Sequence, residues 1–288
     1  MKTMNMISRR SFLKAAMAAA TVSALGLTGC GSSASSTASS TAAADSTPAS
    51  STAESEETSA AESTDDKVYT VGICQLVQHE ALDAATQGFK DALTEKLGEG
   101  NVKFDEQNAS GDSANCTTIV SGFVSTGVDL ILANATAPLQ AAAQATADIP
   151  VLGTSVTDYA TALDISDWTG TVGNNISGTS DLAPLDQQAA MIKELFPDAK
   201  TVGLLYCSAE PNSVYQCDVI EGYLTEMGLE TTRYAFTDTN DVTSVTQAAA
   251  AASDVIYIPT DNTAASNTEA IANVVIPEKV PVVAGEEG

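Results

Sequence analysis

From residue 67 onward, short apolar runs rich in β-branched residues alternate with longer segments whose apolar positions recur at helical spacing. The short runs predict strands at 68–74, 101–108, 128–133, 149–155, 200–207, 229–236, 254–259 and 280–285. The longer segments predict helices at 80–97, 113–125, 137–147, 181–196, 212–227, 242–252 and 263–275. Strands that are apolar throughout and joined by helices are typical of parallel sheets covered on both faces. The pattern therefore predicts an α/β fold.

The alternation is interrupted in one segment, which has glycine at positions 170, 173 and 178 and little helical pattern. One α/β layer is expected to end there and another to begin. We therefore predict two Rossmann-like lobes with parallel sheets, at 67–172 and 181–288, joined by a hinge crossover at 173–180.

The first 66 residues have a different composition. Basic residues precede a short run of small apolar residues, which is typical of a signal peptide over 1–30. Its SRRSFLK motif resembles a twin-arginine export signal, and an ordinary basic region is the equal alternative. LTGC, which ends the run, resembles the lipobox of bacterial lipoproteins and predicts a lipid at Cys30 that anchors the protein to the membrane. The Ser-, Thr-, Ala- and acid-rich stretch at 31–66 has too little apolar surface to fold, so we predict a disordered tether.

The charge of the chain bears on its partners. The sequence has 12 Lys and Arg residues against 37 Asp and Glu. Four of the basic residues and none of the acids lie in 1–30, so the remainder carries a formal net charge of −29. A surface this acidic repels phosphate backbones, and no nucleic-acid partner is expected.

The sequence lacks the usual motifs of catalysis and cofactor binding. HEALD, around the single histidine His79, lacks the second histidine of a zinc protease, and no GxSxG, Walker A or GxGxxG motif is present. Beyond Cys30, the cysteines are Cys74, Cys116, Cys207 and Cys217, with no close CxxC pair. A disulfide between Cys207 and Cys217 is one alternative, but small buried thiols are the favoured interpretation. We expect no catalytic residue, no metal and no cofactor.

Polar residues crowd the ends of several predicted strands. SVTD at 155–158, SAEPNS at 208–213 and PTDN at 259–262 each follow an apolar run. N-capping explains one such residue per helix, but each cluster holds several. Ligands of open parallel sheets bind beyond the carboxyl ends of the strands. Two facing lobes would therefore place these clusters on opposite walls of a ligand cleft.

Several blocks of the chain also carry a family likeness: HEALDAATQGFKDAL (79–93), GTSVTDY (153–159), SGTSDLAPLDQQ (177–188), YCSAEPNSVYQ (206–216), YIPTDNTAAS (257–266) and PVVAGEEG (281–288). They resemble the ABC-transporter substrate-binding family of the type I periplasmic-binding-protein fold, which includes binders of tryptophan and other aromatic amino acids. The resemblance implies a small-molecule ligand, most simply a free amino acid, that is delivered to an ABC permease and its ATPase. It also implies a further segment after Gly288, so the C-terminal part of the fold is expected to be missing.

The strand-end residues supply the candidate contacts for a zwitterion. For the carboxylate we assign Thr154, Ser155, Thr157 and Ser208, with Asn212 and Ser213 beside them. For the ammonium we assign Asp158, Asp261 and Glu286. The first wall would be completed by Gln75, His79, Asn134 and Thr136, and the second by Glu210, Thr260 and Asn262. An aromatic ligand could stack on Trp168, Tyr159, Tyr206 or Tyr215.

Two other functions remain open. A receptor for a sugar or another small molecule could use the same fold, although Arg233 is the sole arginine after residue 30. A surface hydrolase or isomerase could use the same cleft, with Glu210 or Glu286 as the base.

Overall fold

The structure, a computed structural model, describes residues 67–286. The elements in this range are, in order, β1 (Tyr69–Gln75), α1 (Glu80–Leu97), β2 (Val102–Asn108), α2 (Ser113–Thr126), β3 (Leu130–Asn134), α3 (Thr136–Ala145), β4 (Val151–Val156), α4 (Tyr159–Ala162), β5 (Ile176–Ser180), α5 (Leu185–Leu195), β6 (Thr201–Cys207), α6 (Pro211–Glu226), β7 (Glu230–Phe236), α7 (Val242–Ala252), β8 (Val255–Ile258), α8 (Asn262–Ala265), α9 (Thr268–Glu278) and β9 (Val282–Ala284). The signal peptide predicted at 1–30, with Cys30, and the tether predicted at 31–66 lie outside the described residues.

The strands form two parallel sheets. The first has the order β2-β1-β3-β4-β5 and the second the order β7-β6-β8-β9. In the first sheet, Val71 of β1 lies opposite Phe104 of β2 and Leu130 of β3. The predicted α/β fold with two lobes of parallel sheet is confirmed.

The first lobe has a core on each face of its sheet. Val71 and Ile73 pack with Leu132 and with side chains of α1, whereas Cys74 packs with side chains of α2 and α3 on the other face. Gly72 faces α2, and a Cβ atom added there would lie 2.6 Å from the ring of Phe123. The glycine therefore permits the close approach of helix and sheet.

The second lobe is built in the same way. Leu204 and Tyr257 pack with side chains of α5 and α6 on one face of the sheet. Leu205 and Ile256 pack with side chains of α7 and α9 on the other face. Because both faces are covered, the central strands are apolar at successive positions, as the sequence indicated.

The predicted hinge crossover at 173–180 is wrong in one respect, because it contains a strand. Residues Ile176–Ser180 form β5, which pairs in parallel with β4 at the edge of the first sheet. Most of its residues are exposed, so it lacks the apolar run that marks the central strands. The chain leaves the first sheet after Ser180 and enters α5 at Leu185.

The helix predicted at 263–275 is also wrong, because the structure divides it into α8 and α9. The Asn267 side chain, between the two helices, donates from its Nδ2 to the carbonyl oxygen of Thr263 at 2.7 Å. A side chain that binds a backbone carbonyl in this way competes with the helical hydrogen bond. Similarly, α5 begins at Leu185 instead of the predicted residue 181, directly after Pro184.

The four cysteines of the described range are free and buried, which confirms the interpretation favoured from the sequence. Cys217 packs in the core on the α5–α6 face of the second sheet, and Cys207 packs on the α7–α9 face. Since the sheet lies between these cores, the two thiols do not form a bridge. Within residues 67–286, no helix is long and apolar enough to cross a membrane, and no group of three His, Cys, Asp or Glu residues could hold a metal ion.

Candidate functional site

The first-lobe rim of the cleft is formed by the loops that follow β1, β3 and β4. Two residues at neighbouring strand ends have positive φ without being glycine: Ala135, which follows β3, at φ 100° and ψ 171°, and Ser155, near the end of β4, at φ 53°. The Ala135 conformation is one that glycine alone adopts readily, and such strain concentrates at functional sites. The N–H of Ala135 donates to the carbonyl of Thr154 in β4 at 3.0 Å, which ties the residue after β3 to the neighbouring strand.

Two predicted residues of this rim are anchored to α1. Gln75 donates from Nε2 to Asp83 Oδ1 at 2.6 Å and accepts the Thr86 hydroxyl at its Oε1 at 2.6 Å. Asn134 is fully buried, and its Nδ2 donates to the same Thr86 hydroxyl oxygen at 2.9 Å and to the Leu82 carbonyl at 2.8 Å. The Asn134 Oδ1 has no protein partner. These contacts fix the ends of β1 and β3 against the first helix.

Other first-lobe candidates lie at the end of β4, directly after it, or at the start of α3. Thr136 and Thr157 are buried, and Thr154, Ser155 and Asp158 are half-buried. Asp158 caps α4, because its Oδ1 accepts the Thr161 N–H at 2.7 Å. Its charge also raises the pKa of Tyr215, after the larger effect of burial on that phenol. Tyr215 belongs to α6, so Asp158 lies near the second lobe.

In the second lobe, Glu210 joins the β6–α6 loop to the start of α8. Its Oε2 accepts the Asn262 N–H at 3.1 Å and the Asn262 Nδ2 at 2.8 Å. Its Oε1 accepts the Thr263 N–H at 2.8 Å and the Thr263 hydroxyl at 2.7 Å. The Asn212 Nδ2 donates to Oε2 as well, at 3.2 Å. Glu210 is buried, and these donors compensate its charge.

Asp261 is fully buried directly behind this contact. It accepts the backbone N–H of Cys207 at 2.6 Å and that of Ala264 at 2.8 Å, and so caps α8. Burial, together with the nearby charge of Glu210, raises the pKa of Asp261 to about 8. Each carboxylate oxygen of Asp261 already accepts one of these backbone N–H groups. A contact between Asp261 and a ligand ammonium stays a prediction.

The remaining second-lobe candidates interlock. The Thr260 carbonyl accepts the Asn212 Nδ2 and the Gln216 Nε2, each at 3.1 Å. Ser213 is fully buried and its hydroxyl accepts from the Asn212 Nδ2 at 3.3 Å. The Asn212 Oδ1 has no protein partner. Ser208 is exposed, and its hydroxyl donates to the Phe236 carbonyl at 3.1 Å.

The two rims meet at a hydrogen bond. His79, which precedes α1, places its Nε2 3.2 Å from the Oδ1 of Asn262, the first residue of α8. The other ring nitrogen of His79, Nδ1, is buried without a protein partner. A cavity of about 350 Å³ has walls from both lobes, including Leu76, Ser113 and Ala137 of the first and Cys207, Glu210 and Thr263 of the second. Of the predicted ligand contacts, Glu210 alone lines this cavity.

Two acids lie where the chain passes between the lobes. Burial raises the pKa of Glu286 to about 7, and the charge of Asp181 adds to this shift. Desolvation by neighbouring protein atoms raises the pKa of Asp181 too, although part of the residue is exposed to solvent. A hydrogen bond with the Thr157 side chain opposes this rise. Asp181 is not among the site residues predicted from the sequence. Its position directly after β5 was the available signal, but β5 itself was not predicted.

The aromatic candidates are dispersed. Tyr206 is buried in the second-lobe core, and Tyr159 donates its hydroxyl to the Thr179 carbonyl at 3.2 Å. Trp168 is exposed and lines a separate hollow with Tyr159 at the edge of the first sheet. Tyr215, half-buried on α6, is the aromatic candidate that the structure brings near Asp158.

Two lobes of parallel sheet, joined beside β5 and facing each other with polar strand-end loops, define a binding protein of the type I periplasmic-binding-protein fold. Residues 70–288 match the model of the family described as ABC transporter substrate binding protein. The chain belongs to this family. Its members bind small-molecule ligands and work outside the cytoplasm.

Individual relatives agree with this assignment. A tyrosine-binding protein of Clostridioides difficile (strain R20291) is 37% identical over 230 residues, which are 79% of this chain and 66% of that protein. The crystal structure of an ABC domain from Streptococcus pneumonia in complex with L-Trp is 33% identical, with a TM-score of 0.72, over 76% of this chain and 74% of that one. The chain spans about two thirds of the length of the tyrosine-binding relative.

A third relative is described in a different state. The ligand-free, open structure of a substrate-binding protein with adhesive properties from Clostridium difficile is 37% identical over 76% of this chain and 75% of that one, with a TM-score of 0.54. Although this relative has the higher identity, the present structure superposes better on the L-Trp complex.

Proposed function

We propose that this protein binds a free amino acid, preferably an aromatic one, between its two lobes and delivers it to an ABC permease. The observation that carries the proposal is the cavity of about 350 Å³ whose walls come from the strand-end loops of both lobes. A ligand there would contact both lobes at once, as the closing of a two-lobe binding protein requires. Relatives described as binding tyrosine and L-Trp support an aromatic amino acid.

The polar chemistry of the cleft suits a zwitterion. At the first-lobe rim, α3 begins at Thr136 without a side-chain cap, so its first N–H groups and the positive end of its dipole suit a carboxylate. For an ammonium the candidates are Asp158, Asp181 and Glu286, which lie outside the lining of that cavity. Three buried acceptors without protein partners, on His79, Asn134 and Asn212, favour a ligand group that donates hydrogen bonds.

The alternatives receive less support. A sugar site would gain from an arginine in the cleft, but Arg233 forms ion pairs with Asp218 and Glu221 on α6. As a catalytic base, Glu210 would have to release the several donors that hold its two oxygens. We therefore expect the ligand to be recovered unchanged after incubation, which chromatography of the released compound tests.

The ligand class is tested by isothermal titration calorimetry and thermal unfolding. The probes are L-tyrosine, L-tryptophan, L-leucine and 3-(4-hydroxyphenyl)propanoate, which matches tyrosine but lacks the ammonium group. We expect L-tyrosine or L-tryptophan to bind and to raise the melting temperature, since a ligand at ~100 times its Kd stabilises the folded state by ~2.7 kcal/mol. The analogue without an ammonium should bind much more weakly. Equal binding of tyrosine and this analogue, or no binding of any amino acid, would refute the proposal.

We further propose the cellular setting that the sequence indicates: export by the segment at 1–30, a lipid anchor at Cys30 and the stretch at 31–66 as a tether, with the ligand delivered to a permease whose ATPase lies inside the cell. The extracytoplasmic work of the family supports this setting.

A further inference from the structure

The hydrogen bond between the lobes has a fixed direction. The Asn262 Nδ2 donates to Glu210 Oε2 at 2.8 Å, so the Asn262 Oδ1 is the atom left to face His79. A carbonyl oxygen accepts only, so the His79 Nε2 must carry the proton and donate. A chain of contacts therefore runs from His79 of the first lobe through Asn262 to Glu210 of the second.

Glu210 is well placed to hold Asn262 in that orientation. Besides the Asn262 side chain, it accepts the Asn262 N–H at 3.1 Å and the Thr263 hydroxyl at 2.7 Å, and it is buried. Its many donors leave it little freedom to rotate. His79 is constrained from the other side, because its backbone is the extended N-cap of α1, at φ −159° and ψ 166°.

We propose that His79 and Asn262 form a latch that stabilises the closed arrangement of the lobes, and that Glu210 is a positioning residue for this latch. The inference rests on the proposed function in one respect, namely that the cleft opens and closes around a ligand. In the present structure the His79–Asn262 contact already joins the two lobes. His79 and Asn262 are then contacts between the lobes, which adds a second role to their assignment as ligand contacts.

The latch would act on affinity through the equilibrium between open and closed lobes, separately from any direct contact of His79 or Asn262 with the ligand. When a protein binds ligand only in its closed state, its apparent affinity is the intrinsic affinity multiplied by the fraction of molecules that are closed. The net contribution of one hydrogen bond corresponds to a ~2- to 13-fold change in an equilibrium constant. Loss of the latch should therefore weaken ligand binding by about three- to tenfold, chiefly through faster dissociation.

The test compares His79→Ala, the conservative His79→Gln and the control Glu80→Gln, which alters an exposed neighbour in the first turn of α1. Small-angle X-ray scattering gives the radius of gyration of each protein with and without saturating L-tyrosine, and calorimetry gives the affinity. We expect His79→Ala to be more expanded without ligand, to have wild-type dimensions with ligand and to bind three- to tenfold more weakly. His79→Gln, whose amide can donate, should restore most of the difference, and Glu80→Gln should resemble the wild type.

Two outcomes would overturn the latch. If the ligand-free dimensions of His79→Ala equal those of the wild type, His79 does not stabilise closure. If the dimensions change but the affinity does not, closure by the latch is not coupled to binding. The scattering without ligand decides the matter even if no amino acid binds the wild type, so failure of the latch and failure of the proposed function are distinguishable.

The role of Glu210 is tested by Glu210→Gln alone and combined with His79→Ala. A positioning role predicts that His79→Ala has a smaller effect on the radius of gyration in the Glu210→Gln protein, because the latch is already weakened. Full additivity of the two changes would contradict it. The melting temperature of each variant shows whether folding is retained.

Discussion

Replacing Glu286 by glutamine should remove part of an unusual dependence of stability on pH. In the unfolded chain this carboxyl ionises near its ordinary pKa of 4.5, whereas burial and the charge of Asp181 raise its pKa in the folded protein to about 7. Between these values the folded state binds more protons than the unfolded state. Raising the pH through this window therefore lowers the free energy of unfolding.

The size of the effect follows from the shift. One pKa unit corresponds to ~1.4 kcal/mol, so the full shift of Glu286 would contribute about 3 kcal/mol. The side chain is only partly buried, and solvent screening reduces this figure. We expect the wild type to lose about 1–2 kcal/mol between pH 5 and pH 8 through Glu286. Asp261 contributes in the same direction, because its pKa is raised to about 8.

The assay is urea unfolding at pH 5, 6, 7 and 8, because urea is uncharged and does not screen the carboxylates. Glu286→Gln should equal the wild type at pH 5 and exceed its stability by about 1–2 kcal/mol at pH 8. The matched control is Glu278→Gln, which removes an exposed acid of α9 and accounts for the change in net charge. Identical curves for the wild type and Glu286→Gln at pH 8 would refute the reasoning.

Three further predictions follow from packing, thiol burial and the N-terminal motif. Gly72→Ala should lower the free energy of unfolding by about 1–3 kcal/mol, because its Cβ would lie 2.6 Å from the Phe123 ring. The control Gly122→Ala, whose Cβ would meet no neighbouring atom, should not lower it. Chemical denaturation of both variants measures the difference. The four cysteines of the described range should react with Ellman's reagent only after denaturation, because all are buried and free; rapid reaction of the native protein would contradict this. Cys30→Ser should move the protein from the membrane fraction to the soluble fraction of expressing bacteria, as detected by immunoblotting, and an unchanged membrane fraction would argue against a lipid there.

The sequence predicted the elements that are buried on both sides. The strand at 200–207 is an apolar run because Leu204 and Leu205 enter cores on opposite faces of the sheet. The edge strand β5 was missed because its residues are mostly exposed and carry no such run. The division between α8 and α9 was missed for a different reason, since it involves one side chain, Asn267, bonding to a backbone carbonyl. Hydrophobic periodicity contains neither kind of information.

The sequence yields candidate residues for the site but not their contacts. Strand-end position made Glu210, Asp261 and Asn262 candidates, because the loops after parallel strands lie at one edge of the sheet. Their partners lie about 50 positions apart in the chain, as in the contact of Glu210 with Thr263, and no local pattern indicates them. The distinction between residues that face a ligand and residues that hold the rim together thus requires the tertiary structure.

The interlocking of the second-lobe loops bears on how the cleft would close. Glu210 and Asn212 tie the start of α6 to the β8–α8 loop, and Asp261 ties that loop to the end of β6. A rim connected by several buried hydrogen bonds moves as one body, because breaking any of them would leave a buried polar group unsatisfied. Under the proposed closing motion, the second-lobe rim would therefore move as a unit about the connection between β5 and α5. A contact at a single point of the rim, such as that between His79 and Asn262, can therefore influence the position of the whole second lobe.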